Sequence, residues 1–428
     1  MTVYLKQAQY YSEIIRYVLN LISSFGDVSF DFVSTSDKAD LIWDSDHPKT
    51  QPIAHRFYRD FDLGENMNHS DVFSDELLIR NESGEVDTLA SIFYMVNSVQ
   101  EINPSAADVD EFGRFRYSSS YQSKHNCPDN NLVRYLMLRF LESNQLSFRS
   151  RNSRVFVSHD IDTLYGSLIQ DGFWALKRGR IDVILRLIMQ TFLSNPAWRN
   201  IDRIVKINSH YDIKSTFFWL VKKGMDEYRI KNADYHLDSE LDLLKKVSIS
   251  RGFENGLHKS TFRSSINLEF SKSPFFNPIN RYHFLKYKAH RDWGLLSESD
   301  IKIDCSHGFA EQFGFRNSYG LPFSPYSMKS KKEMDIIQVP LNFMDTTFSN
   351  YKKERLNPAE CFINFFEENK KDCIISLLWH NNYFSDYKYG SFLKEYKKIA
   401  AYIYELGIES CSSKSILAEY GNSISKSE

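Results

Sequence analysis

The sequence predicts an α/β protein in which a small N-terminal α/β domain, residues 1–150, precedes a barrel-like domain, residues 151–428. Two observations predict this arrangement. The 428 residues exceed what one hydrophobic core usually serves, and 42% of them are apolar, so two cores can be filled. From Arg154 onward, strand-like runs alternate with helical ones, which is typical of a parallel sheet that closes into a barrel.

The N-terminal domain mixes helical periodicity with short apolar runs. Helices are predicted where apolar residues recur at helical spacing, in 10–25, 88–102 and 130–143. Short strands are predicted at VSFDFV, residues 28–33, and ADLIWDSD, residues 39–46. The polar stretches 47–75 and 104–129 are expected to be loops.

The second domain supplies the repeated β-α alternation. Strands are predicted, in chain order, at VFVSHD, STFFWLV, ENGLH, RYHFL, KIDCS, IIQVPL, CIISLLWH and GIESCSS. Helices are predicted at 181–211, SELDLLKKVSI, 358–370 and 392–406. The carboxyl ends of such strands form one edge of the sheet, where functional loops gather.

Charge and cysteine usage limit the classes of function. Lys and Arg number 53 against 55 Asp and Glu, so no long-range field would gather nucleic acid or anionic lipid. The five cysteines are odd in number, scattered and free of any C-x-x-C pair, which indicates buried thiols in a reducing compartment. The N-terminus lacks a signal-peptide pattern, and no apolar run reaches the ~20 residues that span a bilayer. We therefore expect a cytoplasmic protein with no transmembrane segment.

The segment IDVILRLIMQTFL, residues 181–193, is the nearest candidate for a membrane span. It is too short, and Asp182 and Arg186 interrupt it. A helix with this pattern could lie on a membrane surface or act as a lid. Packing against the protein core is the more common explanation, and we favour it.

Ionisable residues lie where several predicted strands end. They are Asp160 and Asp162 after VFVSH, His258 in ENGLH, Arg281 and His283 in RYHFL, and His380 in CIISLLWH. One such residue alone is more often a helix cap or a hydrogen-bonded core residue. Because several strands deliver ionisable groups to the same edge, a functional site is the better interpretation.

The residue types indicate metal-assisted hydrolysis. Residues two apart on a strand point to the same side, so Asp160 and Asp162 share a face, as do Arg281 and His283. Carboxylate oxygens and imidazole nitrogens, with no cysteine nearby in sequence, suit zinc or another borderline divalent ion that activates water.

The same motifs resemble a known family. The order SHDID, STFF, ENGLHKS, RYHFLKY, IDCSHGFAEQFGFRNSYGLPF, IIQVPLNFMD and LLWHN resembles the divergent polysaccharide deacetylase branch of the NodB-like carbohydrate esterases. Upstream, DEFGRFRYSSS, between IFYMVNSVQE and LVRYLMLRFLE, resembles the uncharacterised N-terminal domain often fused to such deacetylases. The resemblance implies a deformed (β/α)7-type barrel and metal-dependent removal of an acyl group from an N-acylated sugar.

The resemblance also implies a role for each residue that matches a motif. Asp160 matches the general base, and Asp162 and His258 match metal ligands. Arg281 matches the arginine that orients the catalytic aspartate. His380 matches the histidine that protonates the leaving amine.

Two departures from the family pattern leave the metal ligands open. The first family motif has adjacent aspartates, whereas Ile161 separates them here, so either Asp could be the ligand. The second motif has another histidine four residues after the first, but Phe262 stands at that position and cannot bind metal. We expect His283 to be the third ligand, since its segment follows that of His258, and His159 is the nearest rival.

Substrate contacts are predicted from weaker signals. Arg316 and Asn317 lie on the Gly-rich stretch GFRNSYGLPF, and Trp379 precedes His380. These residues could contact a sugar ring or a sugar-linked phosphate, although such residues commonly form turns and cores. The expected partner is an N-acylated sugar or a bacterial surface-polysaccharide precursor, and a homo-oligomer stays open. The alternatives are a hydrolase of another bond on the same barrel, such as a glycosidase or an amidase, and a non-catalytic carbohydrate-binding protein.

Overall fold

The structure is a computed structural model and describes residues 1–7, 9–73, 76–193, 195–352 and 356–421. The described part of the N-terminal segment contains three short strands and six α-helices: β1 (Thr2–Leu5), α1 (Ser12–Gly26), β2 (Asp31–Phe32), β3 (Leu41–Trp43), α2 (His55–Asp62), α3 (His69–Val72), α4 (Thr88–Val96), α5 (Tyr121–Lys124) and α6 (Leu132–Ser143). The strands form a parallel sheet in the order β2-β1-β3.

The N-terminal predictions agree with the structure for the periodic segments, fail for the polar stretch 47–75, and agree for 104–129 apart from short helical segments within 117–124. The helices predicted at 10–25, 88–102 and 130–143 correspond to α1, α4 and α6, although α4 ends six residues earlier than predicted. The stretch 47–75 was expected to be a loop but contains α2 and α3. Helix α2 buries only Phe57, Tyr58 and Phe61, so its polar remainder concealed the helical pattern.

The remainder of the chain alternates strands with helices. In chain order its elements are β4 (Arg154–Ile161), α7 (Ser167–Leu176), α8 (Ile181–Phe192), α9 (Ile201–His210), β5 (Ser215–Leu220), α10 (Leu241–Ile249), β6 (Phe253–Lys259), α11 (Ile266–Phe270), β7 (Phe276–Tyr282), α12 (Ala289–Ser297), β8 (Ile303–Asp304), β9 (Tyr326–Ser327), β10 (Lys332–Glu333), β11 (Ile337–Gln338), β12 (Phe343–Met344), α13 (Pro358–Glu368), β13 (Ile374–Leu378), α14 (Gly390–Glu405) and α15 (Ser413–Tyr420).

Eight of these strands form one parallel sheet in the order β11-β8-β7-β6-β5-β4-β13-β12. The two edge strands, β11 and β12, are neighbours in sequence. Along this segment the Val339 N–H donates to Asp304 O on β8, and the Asn342 N–H donates to Ser376 O on β13. One extended segment, 337–344, therefore contacts both edges, so the sheet curls round on itself. This agrees with the predicted α/β class, while the count of seven β/α units stays a prediction.

The predictions for GIESCSS and for 181–211 are wrong. GIESCSS was expected to be a strand, but it contributes only an isolated bridge between Ser410 and Val155. The stretch 181–211 was expected to be one helical region and is instead split into α8 and α9. A further helix, α7, precedes them and was not predicted. None of the helices in the described ranges combines the length and apolar composition that crossing a bilayer requires.

The pairing of β6 with β7 is irregular beside the candidate site. Asn255 pairs with Phe276, but Leu257 pairs with Asn280, so β7 carries a bulge. A side chain at Gly256 would place its Cβ 2.8 Å from both Phe218 Cε1 and Ile279 Cγ2, which explains the glycine.

The N-terminal segment packs tightly on the second part of the chain. A single cluster of buried apolar residues contains Phe93 and Val96 of α4 together with Trp293 of α12 and barrel residues such as Phe218 and Ile279. The two parts of the chain therefore share this cluster, while the outer helix layer of the barrel packs in a second one. All five cysteines are free thiols, and four of them are buried, as the sequence predicts; Cys361 is partly exposed.

Candidate metal centre and catalytic groups

Strand β4 points two polar residues into the barrel. Ser158 Oγ and Asp160 Oδ1 both accept hydrogen bonds from Arg281 Nη1, at 2.9 and 2.8 Å. Arg281 is fully buried, its Nε donates to Cys305 O at 3.0 Å, and its guanidinium lies 4.5 Å from the centre of the Phe218 ring. Asp160 is therefore fixed in position by a charged, buried arginine.

His159 lies on the opposite face of β4, as strand alternation requires. Its Nδ1–H donates to Trp379 O at 2.8 Å, and Asn208 Nδ2 donates to its Nε2 at 2.9 Å. Burial lowers the pKa of His159 to about 4, so the ring is neutral. With both nitrogens occupied in the outer core, His159 offers no lone pair to a metal, and we do not retain it as a rival ligand.

Three side chains of metal-ligating type converge at the carboxyl ends of β4, β6 and β7. Asp162, His258 and His283 each present one ligand atom, and these atoms all lie within 4.8 Å of one another. Asp162 Oδ1 is 3.2 Å from His258 Nε2 and 3.7 Å from His283 Nε2. The structure thus brings together the three residues that the sequence nominates, and Asp162, rather than Asp160, faces both imidazoles.

The polar atoms at this point are not satisfied by the protein alone. His258 Nδ1–H donates to Arg281 O at 2.9 Å, which directs the Nε2 lone pair towards Asp162 Oδ1 and, at 3.4 Å, Asp160 Oδ2. His258 Nε2 and Asp162 Oδ1 are both buried without a hydrogen-bond partner. Acceptors facing each other need a proton or a cation between them, and one carboxylate with two imidazoles is a common zinc ligand set. The residues therefore fit a divalent metal.

The electrostatics of the three residues follow from this crowding. Burial acts against the charged form of Asp162, but the neighbouring His283 and His258 outweigh it and hold its pKa well below the ordinary value. Burial likewise acts against charging His258, yet Asp160 and Asp162 raise its pKa. For His283 burial prevails and the pKa is lowered. The site is therefore suited to holding a positive charge.

His283 reaches the centre in a way that strand geometry does not explain. Arg281 and His283 were predicted to share a strand face. This prediction is wrong, because strand β7 ends at Tyr282. His283 instead begins a short turn in which Phe284 and Leu285 have φ values of 59° and 51°. This left-handed conformation is costly for residues with a side chain and persists only where neighbouring contacts hold it. His283 Nδ1 lies 3.4 Å from Asn232 Oδ1.

A loop of the N-terminal segment holds this turn from outside. Arg114 Nη1 donates to Phe284 O at 2.8 Å, and its other nitrogens bond Asp110 Oδ2 and Tyr351 OH at 2.6 and 3.1 Å. The Phe112 ring stacks on the Phe284 ring with centroids 5.5 Å apart. The N-terminal segment thereby contacts the residue that follows His283.

His380 lies on the other side of Asp162, after β13. Its Nδ1–H donates to Asp345 Oδ1 at 2.7 Å, and its Nε2 lies 3.6 Å from Asp162 Oδ2. Burial alone would lower the pKa of His380, but the charge of Asp345 and its hydrogen bond, helped by Asp162 and Asp160, raise it to about 10. His380 therefore carries a proton on Nε2 at neutral pH, directed towards the centre.

Asp345 is a functional candidate that the sequence reasoning missed. It is fully buried and lies just beyond β12, the strand that pairs with β13. The signal was present, since IIQVPLNFMD is an apolar run that ends in an acid, as VFVSHD is. Its partner is 35 residues away, and only the pairing of β12 with β13 brings the two together.

The structure does not support the substrate contact predicted for Trp379. Its side chain is 1% exposed and packs against Phe392 and Tyr396 of α14. Since His380 points inward, its neighbour along an extended chain points outward. Trp379 is therefore a core residue of the helix layer.

Arg316 and Asn317 are likewise unavailable to a ligand. Arg316 makes a two-bond ion pair with Glu101, through Nε at 2.8 Å and Nη2 at 2.7 Å, and Asn317 Nδ2 donates to Val96 O at 3.3 Å. Nearby, Ser98 Oγ lies 2.9 Å from His307 Nε2. These groups join the N-terminal segment to the barrel, and we call Glu101, Arg316, His307, Tyr287 and Ser98 the junction cluster. The glycine-rich stretch is thus structural rather than substrate-binding.

Residues 1–148 match the model of a family described as "Family of unknown function (DUF7033)". None of the curated proteins matches the sequence.

Solved structures with partial similarity include three proteins. A Mycobacterium smegmatis protein with a provisional assignment as a polysaccharide deacetylase is 10% identical, with a TM-score of 0.38 over 64% of this chain and 92% of that chain. The 4-alpha-glucanotransferase of Thermococcus litoralis is 11% identical, with a TM-score of 0.37 over 63% and 40% of the two chains. A mutant of BA3943, a CE4 family pseudoenzyme with restored enzymatic activity, is 11% identical, with a TM-score of 0.29 over 64% and 71%. Similarities this low decide nothing about the chemistry, which depends on the site itself.

Proposed function

We propose that the protein is a metal-dependent hydrolase that removes an N-acyl group, acetyl in the simplest case, from a sugar of a bacterial surface polysaccharide or its precursor. The observation that carries the proposal is the convergence of Asp162, His258 and His283 between two further groups, Asp160 held by Arg281 and His380 held by Asp345. The motif resemblance supports the sugar substrate. A zinc-like divalent ion is the proposed cofactor.

A metal ion held by Asp162, His258 and His283 would supply Lewis acidity for water activation and for the developing oxyanion. Asp160 is proposed to take the proton of the attacking water as general base. Its Oδ1 is bound by Arg281 and its Oδ2 is 3.4 Å from His258 Nε2, so Oδ2 faces the centre. Arg281 fixes the orientation of Asp160 through this hydrogen bond.

His380 is proposed to protonate the leaving amine, because an amide nitrogen leaves only after it gains a proton. The hydrogen bond from Nδ1 to Asp345 leaves Nε2 as the proton donor on the side of the centre. Asp162 and His380 are 29% and 12% exposed, whereas Asp160, His258 and Arg281 are almost fully buried. A substrate would therefore approach from the side of Asp162 and His380.

The proposal is tested by metal analysis together with acetate release from N-acetylglucosamine oligomers. The zinc-loaded protein should release acetate, and Asp160→Asn and His380→Ala should keep the metal but lose roughly 10²-fold or more in turnover. Asp335→Asn is the matched control, because it removes an exposed carboxylate far from Asp160 in sequence. Its metal content and turnover should be unchanged.

Other outcomes would select the alternatives. Cleavage of the glycosidic bond without acetate release would indicate a hydrolase of another bond. A protein that binds these oligomers but retains no divalent metal would be a carbohydrate-binding protein, and the proposed function would be wrong.

A further inference from the structure

Helices α7 and α8 form a hairpin whose outer surface is apolar. Within the described residues, 22 large apolar side chains are exposed, and ten of them lie between Tyr165 and Leu193. Ile169 is 78% exposed and Phe192 is 87% exposed. The segment 181–193 was predicted to pack on the protein core, and this prediction is wrong for its outer face.

The exposed residues lie on one face of each helix. They are spaced four and three residues apart, with Ile169, Phe173 and Leu176 on α7 and Leu185, Ile188 and Phe192 on α8. This spacing places each set in one stripe along its helix. The apolar surface is therefore continuous along both helices rather than scattered.

The hairpin does not need this surface for its own folding. Ala175, Val183 and Leu187 are buried in a small core between the two helices, with Trp174 and Ile184 packed against it. The outer stripes take no part in that core. A large apolar patch left exposed on a folded element commonly marks a binding surface.

Positive charge lies beside the stripes. Exposed cations occupy the turn between the helices, at Lys177, Arg178 and Arg180, and the middle of α8, at Arg186. Of the two carboxylates in the hairpin, Asp171 is buried and accepts from Trp198 Nε1 at 3.0 Å, and Asp182 is paired with Arg180 at 2.8 Å. The whole chain has a formal charge of −2, so this positive surface is a local feature that the overall balance conceals.

We propose that the α7–α8 hairpin docks the protein on a membrane surface that contains anionic phospholipid. The apolar stripes would enter the boundary between headgroups and acyl chains, and the cations would contact lipid phosphates. A second copy of the chain fits this surface less well, because a two-fold contact would bring the same cations together. The inference goes beyond the proposed function and does not depend on it.

The root of the hairpin lies at the rim of the candidate site. Helix α7 begins five residues after Asp162, and the connecting Leu164 and Tyr165 N–H groups donate to Asp234 at 2.8 and 2.9 Å. The connection is therefore fixed to the barrel. A docked hairpin would hold the candidate site next to the lipid surface.

Vesicle co-sedimentation tests the docking. The full chain should sediment with vesicles of phosphatidylcholine and phosphatidylglycerol, and much less with phosphatidylcholine alone. The double variant Leu185→Ser, Phe192→Ser should lower vesicle binding about tenfold or more. Leu295→Ser with Leu406→Ser is the matched control, since these leucines are 54% and 56% exposed but lie outside the hairpin.

A second pair of variants tests the charge. Lys177→Glu with Arg178→Glu should remove the preference for the anionic vesicles, whereas Lys245→Glu with Lys272→Glu, two exposed lysines elsewhere, should keep it. All these positions are exposed, so thermal unfolding should stay unchanged and show that each variant is folded.

The proposal is overturned if the full chain stays in solution with both kinds of vesicle, or binds both equally. It is also overturned if Leu185→Ser, Phe192→Ser binds vesicles as the unaltered chain does. A dimer that this variant dissociates, without any vesicle binding by the unaltered chain, would show instead that the surface joins two copies.

Discussion

The candidate metal centre and the junction cluster are built from the same residue types. Each contains a buried arginine paired with a carboxylate, and each contains buried histidine. In the junction cluster, Arg316 binds Glu101 twice and Gly308 O once, and both nitrogens of His307 have partners, Ser98 and Tyr287. In the candidate centre, His258 Nε2 and Asp162 Oδ1 have none.

Between these two clusters, hydrogen-bond satisfaction rather than residue type marks the difference. Buried polar groups are almost always paired, because an unpaired one destabilises the folded state and so lowers the free energy of unfolding. A cluster whose members satisfy each other has nothing left to offer a ligand. Where inward-facing lone pairs stay open, the missing partner is an external group, and here a metal ion fits.

The sharpest test replaces one histidine in each cluster. His258→Ala should abolish metal retention, because it removes one of three ligands, while the metal-free protein should remain folded. His307→Ala should keep the metal but lower the free energy of unfolding by about 1–3 kcal/mol, since Ser98 and Tyr287 lose their buried partner. Elemental analysis and urea unfolding measure the two effects.

The reverse pattern would break the comparison. If His258→Ala kept stoichiometric metal, or if His307→Ala lost it, the two clusters would not differ in the way proposed. Replacing Asp162 and His283 by Ala, one at a time, extends the test to the other two proposed ligands.

A second test concerns the two arginine pairs. Arg316→Met should lower the free energy of unfolding by about 3–5 kcal/mol, because it leaves Glu101 charged and buried without a partner. Metal content should stay unchanged. Arg316→Met combined with Glu101→Leu should recover part of the loss, since no unpaired charge remains. If Arg316→Met lost sugar binding without any loss of stability, Arg316 would be a substrate contact after all.

The smallest expected effect is a shift in the titration of His380. Asp345→Asn should lower the pKa of His380 from about 10 towards the ordinary value of 6.5, because it removes the carboxylate that favours the imidazolium. NMR titration of the metal-free protein measures this directly.

The sign of the effect on stability follows from the raised pKa. The contribution of the His380–Asp345 pair is fully present below pH 6.5 and is lost as the pH rises through about 10. Asp345→Asn should therefore flatten the stability profile between these two values. An unchanged pKa for His380 in this variant would show that Asp345 does not control its protonation.

Much of the site could be predicted from the sequence because parallel strands place their ends together. Asp162, His258 and His283 are far apart in sequence, but each lies at or just beyond the end of a strand, and the structure brings them within 4.8 Å. Strand alternation alone predicts that Asp160 and Asp162 share one face at the end of β4. The same rule predicts that Trp379, next to the inward-facing His380, points away from the site.

Other features could not be predicted because they depend on contacts distant in sequence. The turn that carries His283 departs from strand geometry and is held by Arg114, which lies 170 residues earlier than its acceptor Phe284. The pairing of Asp345 with His380 depends on which strand lies beside β13. The exposure of α8 was missed because periodicity identifies an apolar stripe but does not tell what covers it.

The contact between Arg114 and Phe284 restricts how this chain can evolve. Arg114 belongs to the segment that matches a family of unknown function, residues 1–148, whereas Phe284 follows a proposed metal ligand in the barrel. An insertion or deletion in the loop around Arg114 would alter the position of His283 without changing any residue of the barrel. Recombination could exchange the first 148 residues between relatives. The hybrid would keep this contact only if the incoming loop still fitted the turn of the recipient barrel.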